Sequence, residues 1–135
     1  MHKRIKMLIL CLVSLILGVV LYTFFRSETY IGKLAAQILG MRPYPANLFT
    51  SISYYLPDFL WGFSLCSGLF SVYPLKSYVS LCWGVLTFLY GTIWELLQKV
   101  SIVSGTFDVI DIFMYLAAAS AVVIINFYFN KEKEK

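Results

Sequence analysis

The feature that most constrains this 135-residue chain is a series of four long apolar blocks. A bilayer core about 30 Å thick needs about 20 residues of helix at 1.5 Å per residue. The blocks that reach or approach this length are 7–25, 57–73, 78–98 and 109–130. Backbone amides in lipid must be paired internally, and the alternation of a closed barrel is absent, so each block is predicted to be a helix. The predicted fold is all-α, a single transmembrane domain over residues 1–135 with four membrane-spanning helices.

Composition and charge support this class and exclude others. Hydrophobic residues make up 60% of the chain, above the roughly 45–50% apolar usage of soluble domains. The basic residues lie at the termini and at scattered positions rather than on one face, which excludes a nucleic-acid partner. The three cysteines, Cys11, Cys66 and Cys82, lie inside apolar blocks and are odd in number. They are interpreted as small buried hydrophobes, not as a disulfide framework.

Lysine and arginine positions predict the topology. The first block is longer than a usual signal-peptide core and lacks a small-residue cleavage site, so it is predicted to be a retained span. One side of the predicted bilayer carries Lys3, Arg4, Lys6, Lys76, Lys131, Lys133 and Lys135. The other side carries Arg26, Lys33, Arg42 and Lys99. The side with the two termini carries seven basic residues against four on the other side. Because cytoplasmic loops carry the excess of lysine and arginine, both termini are predicted to be cytoplasmic.

The loop 26–56 between the first two spans is predicted to be extracytoplasmic and to contain an amphipathic helix. Its apolar residues follow helical spacing at Ile31, Leu34, Ala35, Ile38 and Leu39. Gly40 is expected to end this helix, and a position beside a span places it in the outer membrane interface.

Polar residues converge at the outer ends of the later spans. Asp58 opens span two, Glu95 and Gln98 close span three, and Asp108 and Asp111 open span four. Glu95 with Gln98, and Asp108 with Asp111, are i, i+3 pairs that project from a common helix face. These side chains are therefore candidates for one acidic cleft.

A purely structural interpretation stands beside the functional one. Acidic residues stabilise helix N-termini by about 0.3–1 kcal/mol, and Thr106 or Ser104 is expected to cap span four. Glu95 is not explained in this way, because it precedes a helix C-terminus, although Lys99 at i+4 would partly neutralise it. Ionisable groups within a membrane mark functional sites by default.

Three chemistries remain open for the cluster. Paired carboxylates are suited to general acid and base catalysis, oxygen ligands to calcium or magnesium, and hydrogen-bonded carboxylates to cross-linking helices. No nucleophile with a partnering base is recognisable, and the histidine, His2, lies on the opposite side. Trp61 and Trp94 are expected either to line the cleft or to belong to an interfacial aromatic belt.

The motifs Asp58, Glu95-Leu-Leu-Gln98 and Thr106-Phe107-Asp108-Val-Ile-Asp111 resemble those of the VanZ-like family of small bacterial membrane proteins. The resemblance covers residues 57–120 and is strongest from Gly91 to Asp111. It implies a multi-pass membrane protein of the bacterial cell envelope. The candidate ligand-binding cleft, argued from the converging polar residues, comprises Asp58, Glu95, Gln98, Thr106, Asp108 and Asp111. The resemblance also implies a link with glycopeptide antibiotic resistance, but no reaction mechanism.

The leading functional hypothesis is a membrane protein whose outer-leaflet acidic cleft binds an envelope lipid, a cell-wall precursor or a divalent cation. One rival is a small membrane enzyme in which two of Glu95, Asp108 and Asp111 act as acid and base on an envelope substrate. Another is an accessory subunit that acts through a packing surface against a protein partner or a second copy of the chain.

Overall fold

A computed structural model of the chain describes residues 3–25, 33–34, 37–38, 40, 50–72 and 77–131. These residues form four α-helices and no strands, which confirms the all-α prediction for the part of the chain described. The helices are α1 (Lys3–Phe25), α2 (Thr50–Val72), α3 (Ser77–Lys99) and α4 (Val109–Lys131). Each has 23 residues, about 35 Å at 1.5 Å per residue.

The helices extend beyond some of the predicted apolar blocks. Helix α1 begins at Lys3 instead of residue 7, and α2 begins at Thr50 instead of residue 57. Hydropathy marks only the part of a helix that suits lipid, whereas the backbone hydrogen bonds continue past it. Pro57, the predicted start of the second block, lies inside α2 and is buried. A proline inside a helix removes one backbone hydrogen bond, the one to the carbonyl four residues earlier.

Two of the four helices are long and apolar enough to cross a membrane. The qualifying stretches are Lys3–Tyr22 and Val109–Asn130. Helices α2 and α3 carry more polar side chains, among them Asp58 and Glu95, so their apolar character is weaker. The structure thus shows four helices, two of which have the composition of membrane spans.

The helices pack against one another to different extents. Helix α1 packs mainly on α2, both α2 and α3 pack on α4, and the contact between α2 and α3 is the smallest of these. A buried cluster of Met7, Cys66, Phe70 and Val122 joins α1, α2 and α4. Lys3 Nζ donates a hydrogen bond of 2.7 Å to Asn130 Oδ1, so the start of α1 and the end of α4 lie at the same end of the protein.

Small residues allow close contacts between neighbouring helices. A Cβ atom at Gly68 would lie 3.2 Å from Cys11 Sγ, and one at Gly84 would lie 2.7 Å from Val123 Cγ2. On α4 the buried alanines are Ala118 and Ala119.

The amphipathic helix predicted between residues 31 and 39 lies mostly outside the described residues. Residues 33, 34, 37 and 38 have helical conformation and are exposed. Gly40 adopts a φ of 62°, the left-handed conformation that commonly follows the end of a helix.

Candidate functional site

Three helices bring carboxylates to one end of the protein, opposite the Lys3–Asn130 contact. Asp58 lies in the third turn of α2, Glu95 in the last turns of α3 and Asp111 in the first turn of α4. Their side chains are 8%, 2% and 6% exposed. Burying a carboxylate is costly unless it is hydrogen-bonded or paired, so their neighbours decide what the site can do.

Tyr115 is the centre of this carboxylate group. Its hydroxyl donates a hydrogen bond of 3.4 Å to Asp58 Oδ1. Asp58, Glu95 and Asp111 all lie close enough to act on the phenol electrostatically. Tyr115 follows Asp111 by one helical turn, so both side chains project from the same face of α4. One aromatic side chain of α4 therefore bonds to an acid of α2 and lies within electrostatic range of acids of α3 and α4.

Two glycines make room for the Tyr115 ring. The ring lies directly against the backbone at Gly91 in α3, where a Cβ atom would overlap three ring carbons. On the α2 side, a Cβ atom at Gly62 would lie 3.1 Å from Tyr115 Cδ1 and 3.2 Å from Ala118 Cβ. The ring therefore occupies a narrow space between two helix backbones, which fixes the position of its hydroxyl.

Asp108 holds the loop between α3 and α4 against the site. Its backbone N–H donates to Glu95 Oε2 at 3.3 Å, and Tyr55 donates to its Oδ2 at 3.2 Å. Its Oδ1 accepts from the N–H of Ile110 at 2.9 Å, which makes Asp108 the N-cap of α4. The prediction that Thr106 or Ser104 caps this helix is wrong, because Asp108 directly precedes its first residue.

Gln98 and Thr106 contribute to the same loop. With its amide oriented to suit its neighbours, Gln98 donates to Thr106 O and accepts from Trp94 Nε1, both at 3.0 Å. The Thr106 side chain is exposed, so this residue contributes its carbonyl. Lys99 lies with Nζ 5.0 Å from the centre of the Phe107 ring. The structure thus shows loop contacts for Gln98, Thr106 and Lys99.

A cavity of about 650 Å³ adjoins the carboxylate group. Its described lining is Tyr22, Asp58, Trp61, Gly62, Leu65, Leu69, Leu86, Thr87, Tyr90, Trp94 and Tyr115. Asp58 is the carboxylate among them, and both Trp61 and Trp94 lie in the wall. Of the predicted site residues, Asp58 therefore faces the cavity, whereas Glu95 and Asp111 lie behind it, around Tyr115.

The described residues do not favour a metal centre. In this part of the chain, no group of three or more His, Cys, Asp or Glu side chains is arranged to hold a metal ion. Hard cations such as calcium take six to eight oxygen ligands. Of the carboxylates of this site, Asp58 accepts a hydrogen bond from the Tyr115 phenol and Glu95 accepts one from the backbone N–H of Asp108.

Sequence reasoning missed Tyr115, Tyr55 and Gly91 as parts of the site. Tyr115 stands four residues after Asp111, and Tyr55 stands three before Asp58, so helical spacing was the available signal. Gly91 had no such signal, because its role depends on a ring from another helix.

No protein-family model, curated protein or solved structure matches this chain. The resemblance to the VanZ-like family stays a prediction from the motifs around Glu95 and Asp111.

Proposed function

We propose that the chain is a VanZ-like integral membrane protein of the bacterial cytoplasmic membrane that binds an envelope component at its acid-lined cavity. In this proposal all four helices cross the bilayer, both termini are cytoplasmic, and the carboxylates lie at the outer end. The observation that carries it is the meeting of three buried carboxylates around Tyr115, beside a mainly apolar cavity.

The distribution of polar and apolar side chains supports four spans. Polar side chains of α2 and α3 point inward, as shown by Ser64, Ser67 and Thr87, which are at most 5% exposed. Large apolar side chains of the same helices, such as Leu65 and Val85, are exposed. Extended apolar surfaces of this kind mark contact with a membrane or a partner. Inward-facing serine and threonine side chains are typical of helix contacts in lipid.

The chemistry of the cavity supports an organic ligand. Ligand sites are mostly apolar and carry a few polar groups that fix orientation. Here Asp58, Thr87 and Tyr115 stand among otherwise apolar and aromatic lining residues. An amphiphile of the envelope combines an apolar part with a polar head, so it suits such a wall better than a bare cation does.

The topology is tested with single cysteines in a variant that lacks Cys11, Cys66 and Cys82. Ser104→Cys, in the exposed loop before α4, should react with an impermeant thiol reagent added outside intact cells. Lys133→Cys, two positions after the last residue of α4 in the sequence, is the matched control and should react only after permeabilisation. The reverse pattern would invert the proposed orientation, and equal labelling of both sites from outside would exclude it.

The binding role is tested by charge removal without change of shape. Asp58→Asn and Glu95→Gln should abolish an envelope phenotype, such as altered glycopeptide susceptibility, while the protein persists in the membrane at normal levels. Ser104→Ala, in the exposed loop at the same end, is the control and should behave as the parent. A phenotype that survives both carboxylate substitutions at normal protein level would refute the role of the site.

A further inference from the structure

The cavity beside Asp58 has a polar end and an apolar end. Asp58 and Tyr115 lie at the polar end, where Trp94 also contributes to the wall. Leu65 and Leu69 continue the α2 wall away from that end. Asp58 and Leu69 are eleven residues apart, which is about 16 Å along a helix. The cavity is therefore elongated along α2, with its charged group at one extremity.

The cavity opens sideways between α2 and α3. These two helices make the smallest contact among the helix pairs that pack together. The lining residues Leu65, Leu86 and Tyr90 are 40%, 51% and 59% exposed, so they form the mouth. With the four helices spanning a bilayer, this mouth faces hydrocarbon chains rather than water. An occupant therefore enters from the lipid and needs an apolar chain.

The charge of the wall selects the head group of that occupant. Asp58 is the one charged side chain among the described lining residues. Glu95 and Asp111 lie just behind the wall, close to Tyr115. In an apolar setting a phosphate or carboxylate head is repelled by these acids, whereas a cationic head is attracted. An ammonium group brings three N–H donors and forms charge-assisted hydrogen bonds with carboxylate oxygens.

We propose that this cavity binds a single-chain amphiphile with a primary ammonium head group, with the chain between α2 and α3 and the ammonium beside the Asp58 carboxylate. The cavity volume of about 650 Å³ falls within the roughly 300–1,000 Å³ typical of ligand pockets. This inference rests on the proposed function and names the ligand class for the same site.

The inference is tested by quenching of tryptophan fluorescence. The chain has three tryptophans: Trp61 and Trp94 line the cavity, whereas Trp83 packs against the buried core cluster. The protein is prepared as Trp83→Phe in nanodiscs of phosphatidylcholine. It is titrated with ω-bromododecylamine, ω-bromododecanol or ω-bromododecanoic acid, whose bromine quenches a nearby indole. Half-quenching should occur at an amine concentration at least about tenfold below that of the alcohol, and the acid should be the weakest quencher.

Two variants separate the head-group contact from the chain contact. Asp58→Asn should bring the amine and the alcohol within about twofold of each other while both still quench, because the apolar wall is intact. Leu65→Phe combined with Leu86→Phe should suppress quenching by all three probes by filling the mouth. Leu89→Phe, on the same helix as Leu86 and 44% exposed but outside the lining, is the control and should quench as the parent does.

Other outcomes overturn the inference. Equal quenching by amine, alcohol and acid in the parent would overturn the ammonium selectivity, and this comparison stands even where Asp58→Asn does not fold. An amine preference that persists in folded Asp58→Asn would overturn the role of this carboxylate. In both cases the proposed function survives if Asp58→Asn and Glu95→Gln still abolish the envelope phenotype. Absence of quenching by every probe, together with an unaffected phenotype in both variants, would refute the inference and the proposed function alike.

Discussion

Gly91→Ala tests whether the Tyr115 ring is held between two helix backbones. The added Cβ atom would lie 2.7 Å from Tyr115 Cδ1 and closer still to two other ring carbons. The ring is 9% exposed and lies close to Gly62 on the α2 side, so its room to move away from Gly91 is limited to the cavity that it lines. Overpacking of this kind costs about 1–3 kcal/mol. Alanine recovers about 1 kcal/mol of that through its higher helix propensity.

The expected net effect is a loss of up to about 2 kcal/mol in the free energy of unfolding. The measurement is helix content by circular dichroism as the purified protein in mild detergent is titrated with dodecyl sulfate. Gly18→Ala is the matched control, because a Cβ atom there meets its nearest neighbour, Leu60 Cβ, at 3.7 Å, an ordinary contact. That variant should be as stable as the parent or slightly more stable.

A double-mutant cycle isolates the cause of the loss. In a Tyr115→Ala background the clash is gone, so Gly91→Ala should stabilise the protein by up to about 1 kcal/mol. The same substitution thus changes sign with the identity of residue 115. If Gly91→Ala destabilises both backgrounds equally, the ring is not the obstacle and the described position of Tyr115 is refuted.

Three further substitutions test local features by the same unfolding measurement. Ser101, just after α3, has a φ of 59°; its N–H donates to Gln98 O, and the N–H of Ile102 donates to Leu97 O. Glycine adopts this conformation without strain, so Ser101→Gly should stabilise the protein by about 1 kcal/mol. An unchanged stability would contradict the strained conformation of Ser101. Asp108→Ala removes the α4 N-cap and should lower the free energy of unfolding by about 0.5–2 kcal/mol, whereas Ser104→Ala should leave it unchanged. Equal losses for the two variants would contradict the assignment of Asp108 as the N-cap. Asn126 is fully buried, and neither of its amide atoms has a hydrogen-bond partner within the described part of the chain. Asn126→Leu should therefore leave the stability unchanged or raise it by about 1–3 kcal/mol. A clear loss of stability would mean that the amide has a partner such as a buried water.

Much of the helical layout was predictable because hydropathy and length act locally. The blocks 78–98 and 109–130 match α3 and α4 closely. The start of α2 was not predictable in this way, since Pro57 reads as a boundary in sequence yet lies within the helix. Whether a proline is tolerated depends on what surrounds the freed carbonyl, which a linear pattern does not encode.

The candidate site was predictable only in part, for a related reason. Antiparallel helices place the start of α2, the end of α3 and the start of α4 at one level, so Asp58, Glu95 and Asp111 were expected together, and all three lie around Tyr115. The sequence did not show which of the predicted site residues have a structural role. Asp108 is a helix cap and Gln98 a loop contact, because these roles depend on side-chain direction and on a turn that spacing alone does not fix.

The contact between Lys3 and Asn130 joins residues 127 positions apart. During synthesis α1 and α2 emerge early and can pair with each other, whereas α4 emerges last. Because α4 supplies Tyr115 and Asp111 and packs on both α2 and α3, the acids of the earlier helices have no shared partner until α4 has emerged. A ribosome stalled shortly before α4 would therefore leave Asp58 and Glu95 exposed to the quality-control machinery, so loss of this one helix should shorten the lifetime of the whole chain.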